Sequence, residues 1–158
     1  MRKIAFINQR YGLEVNGGSE YYTRLIAEKL QGKFEVEVLT TTALGYDTWE
    51  NYYPEDVETI EGITVRRFKI DRMRDVQSFN KFTTDIQESP DRTFEDEQKW
   101  IEDQGPVCRE LIDFICEHKD EYDLFVFVTY LYYLTVRGLP KVAEKAVLIP
   151  TAHDEFYI

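Results

Sequence analysis

The sequence predicts an α/β domain, doubly wound about a mainly parallel sheet and Rossmann-like in the broad sense. Three observations predict it. Short apolar runs bounded by polar residues, KIAFIN at 3–8 and DLFVFVTY at 123–130, have the form of strands buried on both faces. Between 19 and 31 the apolar residues take helical spacing, and FEVEVLTTT at 34–42 then alternates with a β-branched bias. Strands that alternate with helices build a sheet with right-handed crossovers.

In chain order, residues 3–8 form the first strand and residues 19–31 the first helix. That helix carries Tyr22, Leu25, Ile26 and Leu30 on one face, with Arg24, Glu28 and Lys29 largely off it. Ser19 is its expected N-cap and Gly32 its expected C-terminal stop. After the strand at 34–42, residues 43–62 carry Gly45, Pro54 and Gly62 among many acids and read as a loop. ITVRRFKI at 63–70 reads as a strand near a sheet edge, because its alternate residues are polar. Residues 71–92 mix charges with Met73, Phe79 and Phe82 and read as a helix with mobile ends.

Helical spacing returns from Phe94 to Asp103, and Gly105 breaks it. Pro106 suits the first position of a new helix, whose apolar stripe is Val107, Leu111, Ile112 and Ile115. Beyond the strand at 123–130 come a short helix over 131–137, a turn at GLP and a last buried strand at 146–150.

A length of 158 residues suits one domain with a real core. Acidic residues number 30 against 19 basic, a formal charge of -11, and no Lys/Arg cluster relieves that field, which excludes a nucleic-acid backbone as partner. The basic residues nearest to a membrane-binding patch, Arg66, Arg67, Lys69, Arg72 and Arg74, are interrupted by acids. MRKIAFINQ lacks a cleavage site, and no apolar run approaches the roughly 20 residues that span a bilayer, so the expected location is cytoplasmic. Cys108 and Cys116 stand eight apart in one expected helix, about 12 Å of rise, too far to pair; they read as small apolar residues of a reducing compartment. Neither a metal nor another cofactor is expected.

In an open parallel sheet, ligands bind beyond the carboxyl ends of the strands. Three segments should meet there: Asn8 to Glu20, Thr129 to Tyr133, and Thr151 to Glu155. Gly17 and Gly18 precede a helix N-terminus, whose free N–H groups favour an anion and whose missing Cβ atoms would admit a phosphate. NGGSE matches neither GxGxxG nor GxxxxGK[ST], so a turn that merely needs glycine stays open beside the phosphate reading. His153, Asp154 and Glu155 follow a buried strand, where an imidazole could bind a hydroxyl or transfer a proton and the acids could orient a polar substrate. Solvated loop is the plain alternative for those three. Tyr130, Tyr132 and Tyr133, with Tyr46, Tyr52 and Tyr53, could stack on a sugar face or simply pack.

Taken together, KIAFINQRYG, VNGGSEYYTRLIAEKL, VLTT, EDQGPVCRELIDFI, YDLFVFVTYLYY and PTAHDE resemble the N-terminal half of a retaining GT-B glycosyltransferase of the group 1, family 4 type. The resemblance covers nearly the whole chain apart from 71–92. It implies transfer of a sugar from a nucleotide-sugar donor to an acceptor with retained configuration and without an obligatory metal. It also implies that Gly17 and Gly18 face the donor diphosphate and that His153 lies against the donor sugar as the catalytic candidate. Glu20, Tyr130, Tyr132, Asp154 and Glu155 become candidates for acceptor or sugar contacts, and loops 43–56 and 71–92 become candidate acceptor sites.

Such enzymes use a second Rossmann-like domain that holds the nucleotide, and these residues contain none of it. The resemblance therefore implies residues 1–158 to be a truncated, acceptor-side piece that is inactive alone, peripheral to a membrane at most in the full-length enzyme. Apolar surface around the last strand should then be exposed, with self-association following. A rival reading is a non-catalytic α/β module that binds a phosphorylated small molecule or a partner subunit through the same loop. A flavodoxin-like domain ranks last, since neither a flavin loop nor a phospho-acceptor pocket is evident.

Overall fold

A computed structural model describes residues 1–154. Six strands form one sheet: β1 (Lys3–Ile7), β2 (Glu35–Thr41), β3 (Val57–Ile60), β4 (Ile63–Phe68), β5 (Leu124–Val128) and β6 (Ala146–Ile149). Their order is β3-β4-β2-β1-β5-β6; β3 runs antiparallel to β4, and every other neighbouring pair is parallel. Among the described residues the α-helices are α1 (Gly18–Leu30), α2 (Val76–Glu88), α3 (Phe94–Gln104), α4 (Arg109–His118) and α5 (Tyr133–Gly138). The chain builds outward from β1 through β2 to β4, then returns to lay β5 on the other side of β1. The topological switch point therefore lies between β1 and β5.

Successive residues of a strand point to opposite faces, so β1 feeds two cores. Ile4 and Phe6 join Val36, Val38, Ile63, Val65, Val126 and Val128 under Ala27 of α1. Ala5 and Ile7 join Leu39, Phe125 and Phe127 under Leu111, Ile112 and Ile115 of α4 and Leu134 of α5. Both faces of the inner strands are dry, which is why KIAFI and LFVFV carry no alternation. The sheet is thus covered on both sides, as expected of a doubly wound fold.

Several local expectations are corrected. Residues 43–62 are not wholly loop, because β3 pairs with β4 through a tight turn at Glu61 and Gly62, whose φ values are 48° and 81°. Positive φ at both central residues suits the mirror-image turns that match the twist of a hairpin. The edge strand on this side is consequently β3, and β4 lies one strand in. Its polar residues are paired: Arg66 Nε donates to Glu37 at 3.0 Å and buried Arg67 Nε to Glu58 at 2.6 Å.

The N-cap of α1 is Gly17, not Ser19, and the buried stripe of that helix is Glu20, Thr23 and Ala27 while Tyr22 is exposed. Gly32, with φ 77°, ends the turn after α1 as expected.

Pro106 does not open α4. It follows Gly105 through a cis peptide, and the helix starts at Arg109. The last short helix begins at Tyr133, and a 3₁₀ turn over Leu139–Lys145 stands where GLP suggested a simple turn. Cys108 is buried, whereas Cys116 is exposed on α4 and does not serve as core. The last strand, β6, is not the buried strand expected: it is an edge of the sheet, and Val147 and Leu148 are exposed. Among the described residues no helix is long and apolar enough to cross a membrane.

Candidate functional site

Hydrogen bonds draw the three expected segments together at the carboxyl end of the sheet. Buried Asn8 leaves β1 and donates through Nδ2 to Thr23 Oγ1 at 2.8 Å and to the Ser19 carbonyl at 3.3 Å, which fixes the start of α1. Gln9, also buried, donates to the Val128 carbonyl at the end of β5 and accepts on its own carbonyl from Thr41 Oγ1 of β2 at 2.6 Å. Thr129 N donates to the Ile149 carbonyl at 2.9 Å, and Thr151 Oγ1 lies 3.0 Å from Thr129 Oγ1.

Thr129 and Thr151 have φ values of 74° and 48°, a conformation that costs a β-branched residue about 1–3 kcal/mol and persists only where the surroundings impose it. Here the imposing groups are visible for Thr129: its carbonyl accepts from buried Thr135 Oγ1 at 2.7 Å. Both turns redirect the chain directly after a strand, so they shape the rim of the crevice.

The glycine pair splits into two different residues. Gly17 is extended, at φ −96° and ψ 148°, so conformation does not require glycine; space does. A Cβ there would lie 1.9 Å from Glu20 Oε2 and 2.9 Å from Arg10 Nη2. The Glu20 carboxylate is folded back over Gly17, where its Oε1 accepts from Arg10 Nε at 2.8 Å and Nη2 at 2.5 Å while Ser19 Oγ donates to Oε2 at 2.8 Å. Gly18 has open space instead: apart from its chain neighbours and the backbone of its own helix, no described atom lies within 4 Å of a Cβ position. A close approach to the backbone is therefore open at Gly18 and filled by the chain's own carboxylate at Gly17.

Loop 43–56 and the segment opening 71–92 are tied into the same rim. Asn51 bridges the ends of β2 and β4, accepting from Thr42 Oγ1 at 2.5 Å and Ile70 N at 2.9 Å and donating to the Ile70 carbonyl at 3.1 Å. Trp49 is buried, donates through its indole to the Gln104 carbonyl at 2.7 Å, and meets Tyr132 edge-on with centroids 5.6 Å apart. Arg74 also reaches Gln104, donating from Nη2 to its carbonyl and, at 3.0 Å, to its Oε1. Its Nη1 donates to the carbonyls of Tyr46 at 3.2 Å and Asp47 at 3.3 Å, so one guanidinium clamps both candidate acceptor loops to the end of α3. Burial pulls that guanidinium below its ordinary range, against the opposing effect of Tyr132 and Asp47.

Tyr132 caps α5 and is half-buried in this group. Burial first, and the Glu20 carboxylate second, push its phenol up, while Arg74 and Arg10 pull the other way. Tyr132 and Glu20, two of the sequence-predicted residues, thus share one electrostatic neighbourhood with Arg10. Tyr46 belongs to it as well, with the Arg10 guanidinium 5.4 Å from its ring centroid. Guanidinium, carboxylate, phenol and exposed ring together can bind an anion and a polyhydroxylated ring.

Of the other predicted residues, Tyr130 is half-buried and its N–H donates to the Pro150 carbonyl at 3.3 Å. His153 and Asp154 are exposed just beyond Thr151. Glu155 lies outside the described residues. Arg10, Trp49, Asn51 and Arg74 lie in segments that the sequence nominates, but it singles out none of them as a site residue. A signal existed for Arg10, the first cation after the first strand, and for Trp49, the lone tryptophan of its loop. Among the described residues no group of three or more His, Cys, Asp or Glu could hold a metal ion.

Comparison with known proteins adds no family: no protein-family model matches the chain, and no curated protein matches it.

Proposed function

We propose that this chain is the acceptor-side domain of a retaining, nucleotide-sugar-dependent glycosyltransferase of the GT-B type. What carries the reading is the open backbone at Gly18, at the start of α1 and beside the switch point between β1 and β5. An N-terminal helix end with room for close approach suits a diphosphate. His153 and Asp154 leave the end of β6 toward solvent, free to meet a donor sugar held by another domain. The rim rings of Tyr46 and Tyr132, the latter braced edge-on by buried Trp49, suit a sugar acceptor, since rings can pack on C–H faces while their polar tips reach hydroxyls.

In this reading the acceptor hydroxyl forms a new bond to the sugar's anomeric carbon as the bond to the nucleoside diphosphate breaks, and the hydroxyl proton passes to the departing diphosphate oxygen. This domain supplies orientation and charge complementarity, and a second domain supplies the nucleotide pocket. The exposed Val147 and Leu148 on β6 belong to the same proposal, as surface for a neighbouring segment or a second copy.

The test uses the complete gene product, incubated with a panel of nucleotide sugars and carbohydrate acceptors, with nucleoside diphosphate release as readout. Acceptor-dependent release that falls at least tenfold in both Gly18→Val and His153→Ala supports the reading. No release from any donor, or release unchanged in both variants, overturns it.

The covered face of Gly17 favours a second reading, a non-catalytic α/β module whose loop is satisfied by its own carboxylate. Failure of every donor in the assay above, with a folded protein, would leave that reading in place.

A further inference from the structure

Arg10 is only 11% exposed and Glu20 9% by side chain, so both charges have been taken largely out of water. A buried guanidinium without a counter-charge is strongly unfavourable, and a single carboxylate oxygen accepting from two of its three nitrogens meets that need. The carboxylate reaches this place only because residue 17 has no Cβ. The donors that converge on it, two guanidinium N–H groups and the Ser19 hydroxyl, are a set that serves a phosphate equally well. The remaining Arg10 nitrogen holds the Leu44 carbonyl at 2.9 Å, and its plane lies beside Tyr46. Arg10 therefore connects whatever anion it holds to loop 43–56.

We propose that Glu20 is an internal stand-in for a phosphate group of the substrate, and that a diphosphate displaces it and takes Arg10 as its guanidinium ligand. The inference rests on the phosphate-facing reading of this loop and names the residue that does the holding. Exchange needs only rotation of the Glu20 side chain away from Gly17, since Arg10 stays where Leu44 fixes it. Ligand charge then replaces an internal charge of the same sign, so the buried guanidinium is compensated in both states. The carboxylate also acts as a competitor that sets affinity: weak or singly charged anions fail to displace it.

The experiment compares wild type, Glu20→Gln and the double variant Arg10→Gln/Glu20→Gln in phosphate-free buffer, using inorganic pyrophosphate and UDP-glucose as probes. Calorimetry reads affinity and thermal unfolding reads stabilisation. Glu20→Gln is expected to bind pyrophosphate at least tenfold more tightly than wild type and to gain more thermal stability from it. The double variant, which removes both charges and so leaves neither unpaired, is expected to lose at least tenfold relative to Glu20→Gln. Pyrophosphate affinity unchanged or weakened in Glu20→Gln, retained in the double variant, or undetectable in all three proteins overturns the exchange. Donor-dependent release by the complete enzyme with no effect of Glu20→Gln on pyrophosphate sinks this inference alone. The expected pyrophosphate pattern with no response to UDP-glucose and no sugar transfer sinks the glycosyltransferase reading alone.

Discussion

The Glu20 carboxylate lies over the Cα of Gly17, with Oε2 only 1.9 Å from where a Cβ at that position would stand. Two adjacent glycines thus answer to different physical demands, one to the chain's own side chain and one to open solvent.

That difference predicts opposite effects from one substitution. Gly17→Ala pushes the carboxylate off Arg10 and Ser19 and is expected to cost about 1–3 kcal/mol, the worth of charge-assisted hydrogen bonds that are lost while their partners stay buried. Gly18→Ala meets nothing and sits at the first position of α1, so it is expected to stabilise by about 0.4–1 kcal/mol through the unfolded chain. Urea unfolding of both variants checks this; equal destabilisation by the two would contradict it.

Glu37 predicts a pH dependence. It is buried on β2, where burial alone would raise its carboxyl, but hydrogen bonds from Lys3 and Tyr122 and the charges of Lys3 and Arg66 hold it below the usual carboxylate range. A carboxyl whose folded value lies below its unfolded value of about 4.3 stabilises the fold above that value. The contribution is lost as pH falls through the folded value. Wild type should therefore lose stability more steeply than Glu37→Gln below about pH 4, while at pH 7 the variant is less stable by about 1–3 kcal/mol. Thermal unfolding from pH 7 to pH 2 decides; parallel curves would remove Glu37 as the cause.

The hairpin turn offers a gain. Glu61 holds φ 48° beside Gly62 at 81°, a conformation that asparagine adopts at less cost than glutamate. Glu61→Asn creates Asn-Gly at a turn that prefers it and is expected to stabilise by about 0.5–1 kcal/mol. The Glu61 carbonyl still accepts from Gln31 Nε2, so that contact survives. A lower unfolding midpoint in the variant would show that the Glu61 side chain has a role of its own.

The cysteines should separate by reactivity. Burial pushes the Cys108 thiol up to about 12, and its Sγ lies 3.2 Å from the Lys69 carbonyl, whereas Cys116 is exposed. Because the folded value is raised, this thiol supports the fold below its ordinary range of about 8.5 and ceases to do so as pH climbs toward 12. With a disulfide reagent at pH 8, Cys116 should react at once and Cys108 only on unfolding. Simultaneous labelling of both in the native protein would rule this out.

The sequence by itself determined the alternation of strand and helix, because dry strands such as LFVFV and a helical stripe need only local patterning to be read. It also determined which segments end at the carboxyl edge of the sheet, since that follows from parallel strand direction. β3 escaped because a short exposed edge strand carries little apolar signal, and its pairing with β4 depends on a turn that glutamate rarely makes. The N-cap at Gly17 and the partly polar buried stripe of Glu20, Thr23 and Ala27 depend on tertiary partners, Asn8 and Arg10 among them, which local sequence does not encode.

Only the tertiary structure decided what Gly17 is for. Arg10 and Glu20 stand ten positions apart in the chain, and Trp49, Arg74, Gln104 and Tyr132 are spread over more than half of it. Their association depends on strand order and on loops that carry no regular pattern. A glycine kept for lack of space looks, in the sequence, the same as one kept for a turn or a ligand; the difference is the carboxylate standing above it.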